Sequence, residues 1–86
     1  MKISEVKQIV DSLERLSQNL ESLRALSTGV KASLPDKDKA REWSEKIARM
    51  ASVDSSIPYI LQFAKNVTDN EINRLNELIN TTEINP

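Results

Sequence analysis

The chain contains neither cysteine nor histidine, and these two absences exclude much of protein chemistry. Without cysteine there are no disulfides and no thiolate metal sites, and without histidine a structural zinc site lacks its usual ligands. The commonest general base and the strongest nucleophile are missing as well. We therefore predict a protein that is not an enzyme, with no catalytic residues, no metal site and no cofactor.

Glycine and proline are scarce too, at one and three residues of 86, and only three residues are aromatic. So few turn formers argue against a β protein, and a charged fraction of 29% favours a soluble helical one. No apolar run approaches the roughly 20 residues of a membrane span, and no apolar signal core precedes the acidic residues at the N-terminus. We expect one domain over residues 1–86, in the cytoplasm.

What the sequence does contain is an apolar stripe that begins at Val6 and continues to Leu34. Apolar side chains recur there every three or four residues, and a mean spacing of about 3.5 is that of a coiled-coil seam. The flanking positions carry few of the charges that a parallel leucine zipper uses, so the broader face of a bundle helix also fits. We predict a homodimer through a self-association seam formed by Val6, Ile9, Leu13, Leu16, Leu20 and Leu23.

The periodicity predicts an all-α fold, a small irregular four-helix bundle with one long N-terminal amphipathic helix over about 4–28 and three shorter helices. Gly29, the single glycine, is placed to close the long helix in a left-handed conformation. Pro58 is placed in the first turn of the third helix. The shorter helices are predicted over about 36–52, 57–66 and 69–80, and residues 81–86 are expected to form a frayed polar tail.

The break between the last two helices rests on one local signal. Thr68-Asp69-Asn70-Glu71 has the order of a capping box, with a hydroxyl followed three residues later by Glu. Trp43, the single tryptophan, lies on the apolar stripe of the second helix and is predicted to be its largest core residue.

A dozen residues in the middle of the chain show a different pattern. The run Ile47-Ala48-Arg49-Met50-Ala51-Ser52-Val53, followed by Asp54-Ser55-Ser56-Ile57, resembles the DNA-binding helix-turn-helix family. The resemblance implies, as an alternative function, a transcriptional regulator with a degenerate motif at residues 47–60. Ser52 stands where the turn glycine belongs, and Pro58 and Tyr59 occupy the recognition helix. Because residues 54–60 contain no Lys, Arg, Gln or Asn, we do not expect a nucleic-acid partner.

Elimination and the amphipathic helix together favour a small non-catalytic protein-binding module, which acts through helix–helix contacts as an adaptor, inhibitor, chaperone or accessory subunit. Its protein partner is left open by the sequence. Residues 36–49 contain acidic residues among lysines and arginines. We interpret them as members of charge pairs on a helix face that is exposed to solvent. The candidate partner contact consists of two aromatic residues off the main stripe and two arginines that could frame them: Tyr59, Phe63, Arg41 and Arg49.

Overall fold

The computed structural model describes the backbone of residues 2–84 and the side chains of residues 2–82. That part of the chain forms three α-helices: α1 Ile3–Ser27, α2 Lys37–Val53 and α3 Ile57–Ile84. The predicted all-α fold with a long N-terminal helix is confirmed, whereas the predicted count of four helices is wrong. Between residues 2 and 84 no helix is long and apolar enough to cross a membrane.

The two helices predicted over 57–66 and 69–80 are one continuous helix, α3. The residues that resemble a capping box lie in its interior, where the Thr68 hydroxyl donates to the carbonyl oxygen of Ala64 at 2.8 Å. This bond back to the preceding turn satisfies the hydroxyl without a helix terminus. No glycine or proline interrupts residues 59–84, so nothing in the backbone chemistry forces a break.

The C-terminal end of α3 also differs from the sequence-based expectation. The sequence predicts a polar tail from residue 81, but the helix continues through Ile84. The hydroxyls of Thr81 and Thr82 donate to carbonyl oxygens four residues earlier, each at 2.8 Å, as Thr68 does. Residues 85 and 86, the rest of the predicted tail, lie outside the described residues.

The end of α1 is closed as the sequence predicts. Gly29 has a φ of +86°, in the left-handed region that glycine adopts without a Cβ penalty. The N–H of Val30 donates to the carbonyl of Ala25 at 3.0 Å, and that of Gly29 to the carbonyl of Leu26 at 3.1 Å. These two bonds form a Schellman motif, which satisfies carbonyls that the helix end would otherwise leave free.

The hydrophobic core lies between α1 and α3, which pack against each other more extensively than either packs on α2. The two helices are antiparallel, since Ile3 and Val6 share a groove with Ile79 and Thr82, whereas Ser17 reaches back to Asp69. The core cluster consists of five buried residues: Val6, Val10, Ile72, Leu75 and Ile79. Ile3 and Leu13 are partly buried and pack against its edge.

Helix α2 is held more loosely, and none of its described residues is fully buried. Trp43 and Ile47 are half-buried, in a groove where they meet Leu20 and Leu23 of α1. Trp43 was predicted to be the largest core residue of this helix, but its side chain is only partly buried. The side chain most shielded from solvent near this helix is Leu34, in the connection that precedes it.

The molecule is elongated and its core is thin. It measures 52 × 25 × 19 Å, and its radius of gyration of 15.6 Å exceeds the roughly 12 Å of a compact domain of this length. The whole chain exposes 6297 Å², whereas a compact monomer of its mass exposes about 5,100 Å². Surface that a globular protein of this size would bury is thus left open to solvent.

Candidate interaction surface

The side of α1 that faces α3 is not the predicted seam but a side rotated away from it. Val6, Val10 and Ser17 are buried there, whereas a coiled-coil seam would bury Ile9 and Leu16 with Val6. The rotation follows from α3, which packs against the side of α1 that carries Val10. Four of the six predicted seam residues are therefore buried or half-buried within the chain, and two, Ile9 and Leu16, remain exposed.

The exposed part of the seam extends from the N-terminal turns of α1 to the middle of the helix. Ile9 and Leu16 are 40% and 45% exposed, although they belong to the apolar stripe. Leu13 is half-buried at the edge of the core, and Leu20 and Leu23 are half-buried towards α2. Whether this surface mediates self-association is not decided by the fold, and the homodimer stays a prediction.

Two shallow grooves give this surface its shape. The first follows the N-terminal half of α1 and is lined by Glu5, Gln8, Ile9, Ser12 and Leu13. The second lies between α1 and α2, and its lining is Leu16, Asn19, Leu20, Leu23, Trp43, Lys46 and Ile47. We call the two together the α1 trough. Both grooves are mainly apolar, which suits a helix face better than a polar small molecule.

A second apolar surface lies on the first half of α3. Tyr59 and Phe63, the predicted partner contacts, are 78% and 71% exposed, and Ile60 and Val67 are exposed beside them. We call these four residues the α3 surface. Spacings of three and four residues place them on one side of the helix. Ile60 and Val67 belong to the apolar stripe that the sequence predicts for this part of the chain, and they stay exposed because that stripe is wider than contact with α1 requires.

The two arginines that were predicted to frame this patch both lie on α2, not on α3. Arg41 lies beside the connection that precedes α2, in a groove that includes Ser33 and Leu34. Its guanidinium pairs with Glu45 at 3.4 Å. Arg49 is exposed on α2, and the contacts of the described residues give it no role beside Phe63.

Two of the three acidic residues of α2, Glu42 and Glu45, form charge pairs of the kind that the sequence predicts. Lys46 Nζ lies 2.8 Å from Glu42 Oε1, and Arg41 pairs with Glu45 one turn away. The hydrogen bond from Lys46 lowers the pKa of the Glu42 carboxyl. Such exposed pairs contribute little to stability, because water screens the charges, and they keep this face solvated.

One polar network joins α1 to α3. The hydroxyl of Ser17, which is buried, donates to Asp69 Oδ1 at 2.5 Å, and Lys65 Nζ donates to Asp69 Oδ2 at 2.6 Å. These donors hold the pKa of the Asp69 carboxyl below its ordinary value of 3.8, with the bond from Lys65 as the larger cause. The network ties the middle of the two helices in one register, and no sequence signal revealed it.

Replacing Asp69 with Asn is expected to lower the free energy of unfolding at pH 7 by about 1 kcal/mol, a value reduced for the partial exposure of the carboxylate. The lowered pKa means that folding favours the ionised form, so its contribution is present above pH 3.8 and is lost as the pH falls through the folded-state pKa. Urea unfolding of both proteins from pH 7 to pH 2.5 should therefore show the difference shrinking at the acid end. Asp11→Asn, at an exposed position of α1, is the control, and a difference independent of pH would contradict the argument.

Asn19 is the other buried polar residue of α1, at 7% exposure. Its side-chain oxygen is shielded from solvent and accepts no hydrogen bond among the described residues. An unpaired buried acceptor costs about 1–3 kcal/mol. The residue lies in the α1 trough, beside the place where Trp43 of α2 packs.

Replacing Asn19 with Leu is expected to raise the free energy of unfolding by about 1 kcal/mol, because it removes an unpaired acceptor and adds apolar contact with α2. Chemical denaturation followed by the fluorescence of Trp43 would measure the change. Asn19→Asp has nearly the same shape but buries a charge, and it should destabilise the protein. A less stable Leu variant would mean that the amide has a partner in solution.

The segment that resembles a helix-turn-helix spans the last turns of α2, the turn at residues 54–56 and the start of α3. Asp54 closes this turn, since its Oδ1 accepts from the backbone N–H of Ser56 at 2.9 Å. A helix-turn-helix packs its two helices against each other, whereas α2 and α3 form the sparsest of the three helix contacts. Tyr59 and Phe63 are exposed where base-reading polar side chains would be needed.

Over the described residues no group of three or more potential metal-ligating side chains comes together. The carboxyls whose pKa departs clearly from the ordinary value, such as Glu21 beside Arg24, have it lowered by donors. Comparison with protein-family models, curated proteins and solved structures finds no match to this chain. The two apolar surfaces are therefore the features of the molecule that bear on its function.

Proposed function

We propose that this protein is a small non-catalytic protein-binding module that acts through helix–helix contacts. The protein self-associates as a homodimer through the α1 trough, and it binds another protein through the α3 surface. The observation that carries the proposal is the open apolar surface on a thin core. Ile9 and Leu16 are exposed two turns apart on α1, and Phe63 is exposed one turn from Tyr59 on α3.

The area of open surface supports the proposal. The excess over a compact monomer is about 1,200 Å², and a standard protein interface buries about 800 Å² on each partner. Part of this open surface is apolar, since Ile9, Leu16, Tyr59 and Phe63 are exposed, and neighbouring apolar side chains on a surface mark interaction sites. The exposed aromatic residues of the α3 surface are of the types that carry most binding energy at interfaces.

The chemistry around these surfaces points the same way. The carboxylates with clear pKa changes are held ionised by neighbouring donors, which makes them weaker bases. The buried hydroxyl of Ser17 is already bonded to Asp69 and ties two helices together. These polar groups therefore have structural partners, whereas the two apolar surfaces have none among the described residues.

The experiment that tests the proposal is light scattering of the intact protein over a concentration series, at low and high salt. We expect the mass to rise from 9.7 kDa towards twice that value, with no loss of association at high salt. Apolar contact is insensitive to salt, whereas binding to nucleic acid weakens steeply as salt rises. A strict monomer at all concentrations would contradict self-association. Salt-sensitive binding to a DNA duplex would favour the alternative function instead.

A further inference from the structure

Helix α2 is held in place by fewer interactions than those that join α1 and α3. None of its described side chains is fully buried, and Trp43 is only half-buried in the groove that it shares with Leu20 and Leu23 of α1. Among the described residues, the side-chain hydrogen bonds of α2 stay within that helix. By contrast, α1 and α3 share a buried core, and the hydroxyl of Ser17 bonds to Asp69 across them. Helix α2 is therefore the element that can leave with the smallest loss of contact.

The chain is anchored on both sides of α2. Before the helix, the carbonyl oxygen of Ser33 accepts a hydrogen bond from the Ser22 hydroxyl at 2.9 Å, and Leu34 is 3% exposed. After the helix, Ile57 is buried at the first position of α3, and the Asp54 carboxylate closes the turn between the two helices. Because these anchors hold both ends of the segment in place, α2 can move away without releasing the rest of the chain.

Helix α2 is also weakly stabilised on its own. Its N-cap residue, Asp36, makes no side-chain capping hydrogen bond, and its last turn contains no basic residue. A helix of 17 residues is marginal in water without packing. When α2 leaves α1 it therefore loses its backbone hydrogen bonds as well, and the exchange of its amide hydrogens reports the opening.

The buried amide of Asn19 opposes the closed position of α2. Residues 17 and 19 point about 160° apart around a helix. The burial of Ser17 against α3 thus places Asn19 on the other side of α1, in the groove with Trp43. Its side-chain oxygen is shielded there and accepts no hydrogen bond among the described residues. When α2 moves away, water reaches this oxygen, and the hydrogen bonds that it gains offset part of the apolar contact that is lost.

We propose that α2 is a lid that opens while α1 and α3 stay paired. In the closed position, α2 helps to shield Leu20, Leu23 and the Asn19 amide. Opening exposes all three and extends the accessible apolar surface of α1 from Leu16 to Leu23. This motion goes beyond the proposed function, because it occurs within one chain and requires neither self-association nor a partner.

Native-state hydrogen exchange, followed amide by amide by NMR, tests this motion. Under conditions in which closing is faster than exchange, a protection factor measures the equilibrium of opening. We expect the protection factors in the middle of α2, around Trp43, to be about 100-fold lower or more than those around Ile72 in α3. The comparison is made within one sample, so it does not depend on the oligomeric state. Equal protection in the two helices would overturn the proposal, since the molecule would then open as one unit.

Leu75→Ala separates a lid from a molecule that is unstable throughout. Leu75 lies in the core between α1 and α3. Its truncation should lower the protection factors in the core of α3 by about 30-fold or more and leave those of α2 unchanged. An equal loss in both helices would mean that α2 opens only when the core unfolds, and would overturn the lid. If Leu75→Ala does not fold, Ile72→Val shortens a side chain of the same core and should show the same selectivity, with a loss of about fivefold in α3.

Asn19→Leu tests the cause of the opening. This variant removes the unpaired oxygen and adds apolar contact with Trp43, so the amides of α2 should exchange about fivefold more slowly. Gln18→Leu, at the neighbouring exposed position outside the groove, is the matched control and should leave the exchange of α2 unchanged. Unchanged or faster exchange of α2 in Asn19→Leu would contradict the proposal, because closing would then not bury an unpaired acceptor.

Discussion

Replacing Leu75 with Ala is expected to lower the free energy of unfolding by about 2–4 kcal/mol. Leu75 is buried at the centre of the core between α1 and α3, where it packs with Val10 and Ile72. A domain of 86 residues has a total stability of about 4–13 kcal/mol, so this single change removes a large part of it. In a thin core there are few neighbours to fill the cavity. Urea denaturation, followed by circular dichroism at 222 nm, would measure the loss.

The same helix provides a matched control. Leu78 lies one turn further along α3 and is half exposed, so Leu78→Ala removes the same atoms from a more solvated place. We expect a loss of about 1 kcal/mol or less for this variant. Thermal unfolding should separate the two, since 1 kcal/mol shifts the midpoint by about 4–8 °C in a domain of this size. Equal losses at the two positions would mean that the core is not between α1 and α3.

The elements that the sequence analysis predicted well are those with strong local signals. The apolar periodicity of α1 and the glycine at its end fixed both helix bounds to within a residue or two. The break predicted between residues 66 and 69 was wrong because the same side chains satisfy two different environments. Thr68 can cap a helix or bond within one, and the missing helix breaker in residues 59–84 was the better guide.

The candidate surfaces were predictable only in part, because a helix face becomes a surface or a core through its neighbours. The heptad pattern identified Ile9 and Leu16 as apolar seam residues, but only the position of α3 shows that they remain exposed. The burial of Ser17 and Asn19 could not be predicted. Ser17 bonds to Asp69, which is distant in sequence, and the side-chain oxygen of Asn19 has no partner among the described residues that a pattern could reveal. Tertiary packing decided these positions, while local propensity did not.

If the protein self-associates as proposed, replacing Leu16 with Asp is expected to abolish the proposed dimer while the helices remain. Leu16 is 45% exposed in the single chain, so the new carboxylate can stay solvated in the monomer. In the dimer the carboxylate would be buried against apolar side chains, at a cost of about 3 kcal/mol or more. A cost of that size weakens association by about 100-fold or more. Light scattering should give 9.7 kDa at concentrations where the unmodified protein approaches twice that mass. Leu20→Asp is less selective, because Leu20 packs near Trp43 within the chain.

Gln18→Asp is the matched control for this experiment. It introduces the same charge into the same helix two residues away, at an exposed position outside the lining of the α1 trough. The control should associate as the unmodified protein does, because its carboxylate remains in water in both states. If both variants stay dimeric with native helicity, the α1 trough is not the interface, and the α3 surface becomes the remaining candidate for self-association. If Leu16→Asp loses its helices, Leu16→Ala tests the same contact, since it shortens the side chain without adding charge and should still shift the dimer towards the monomer.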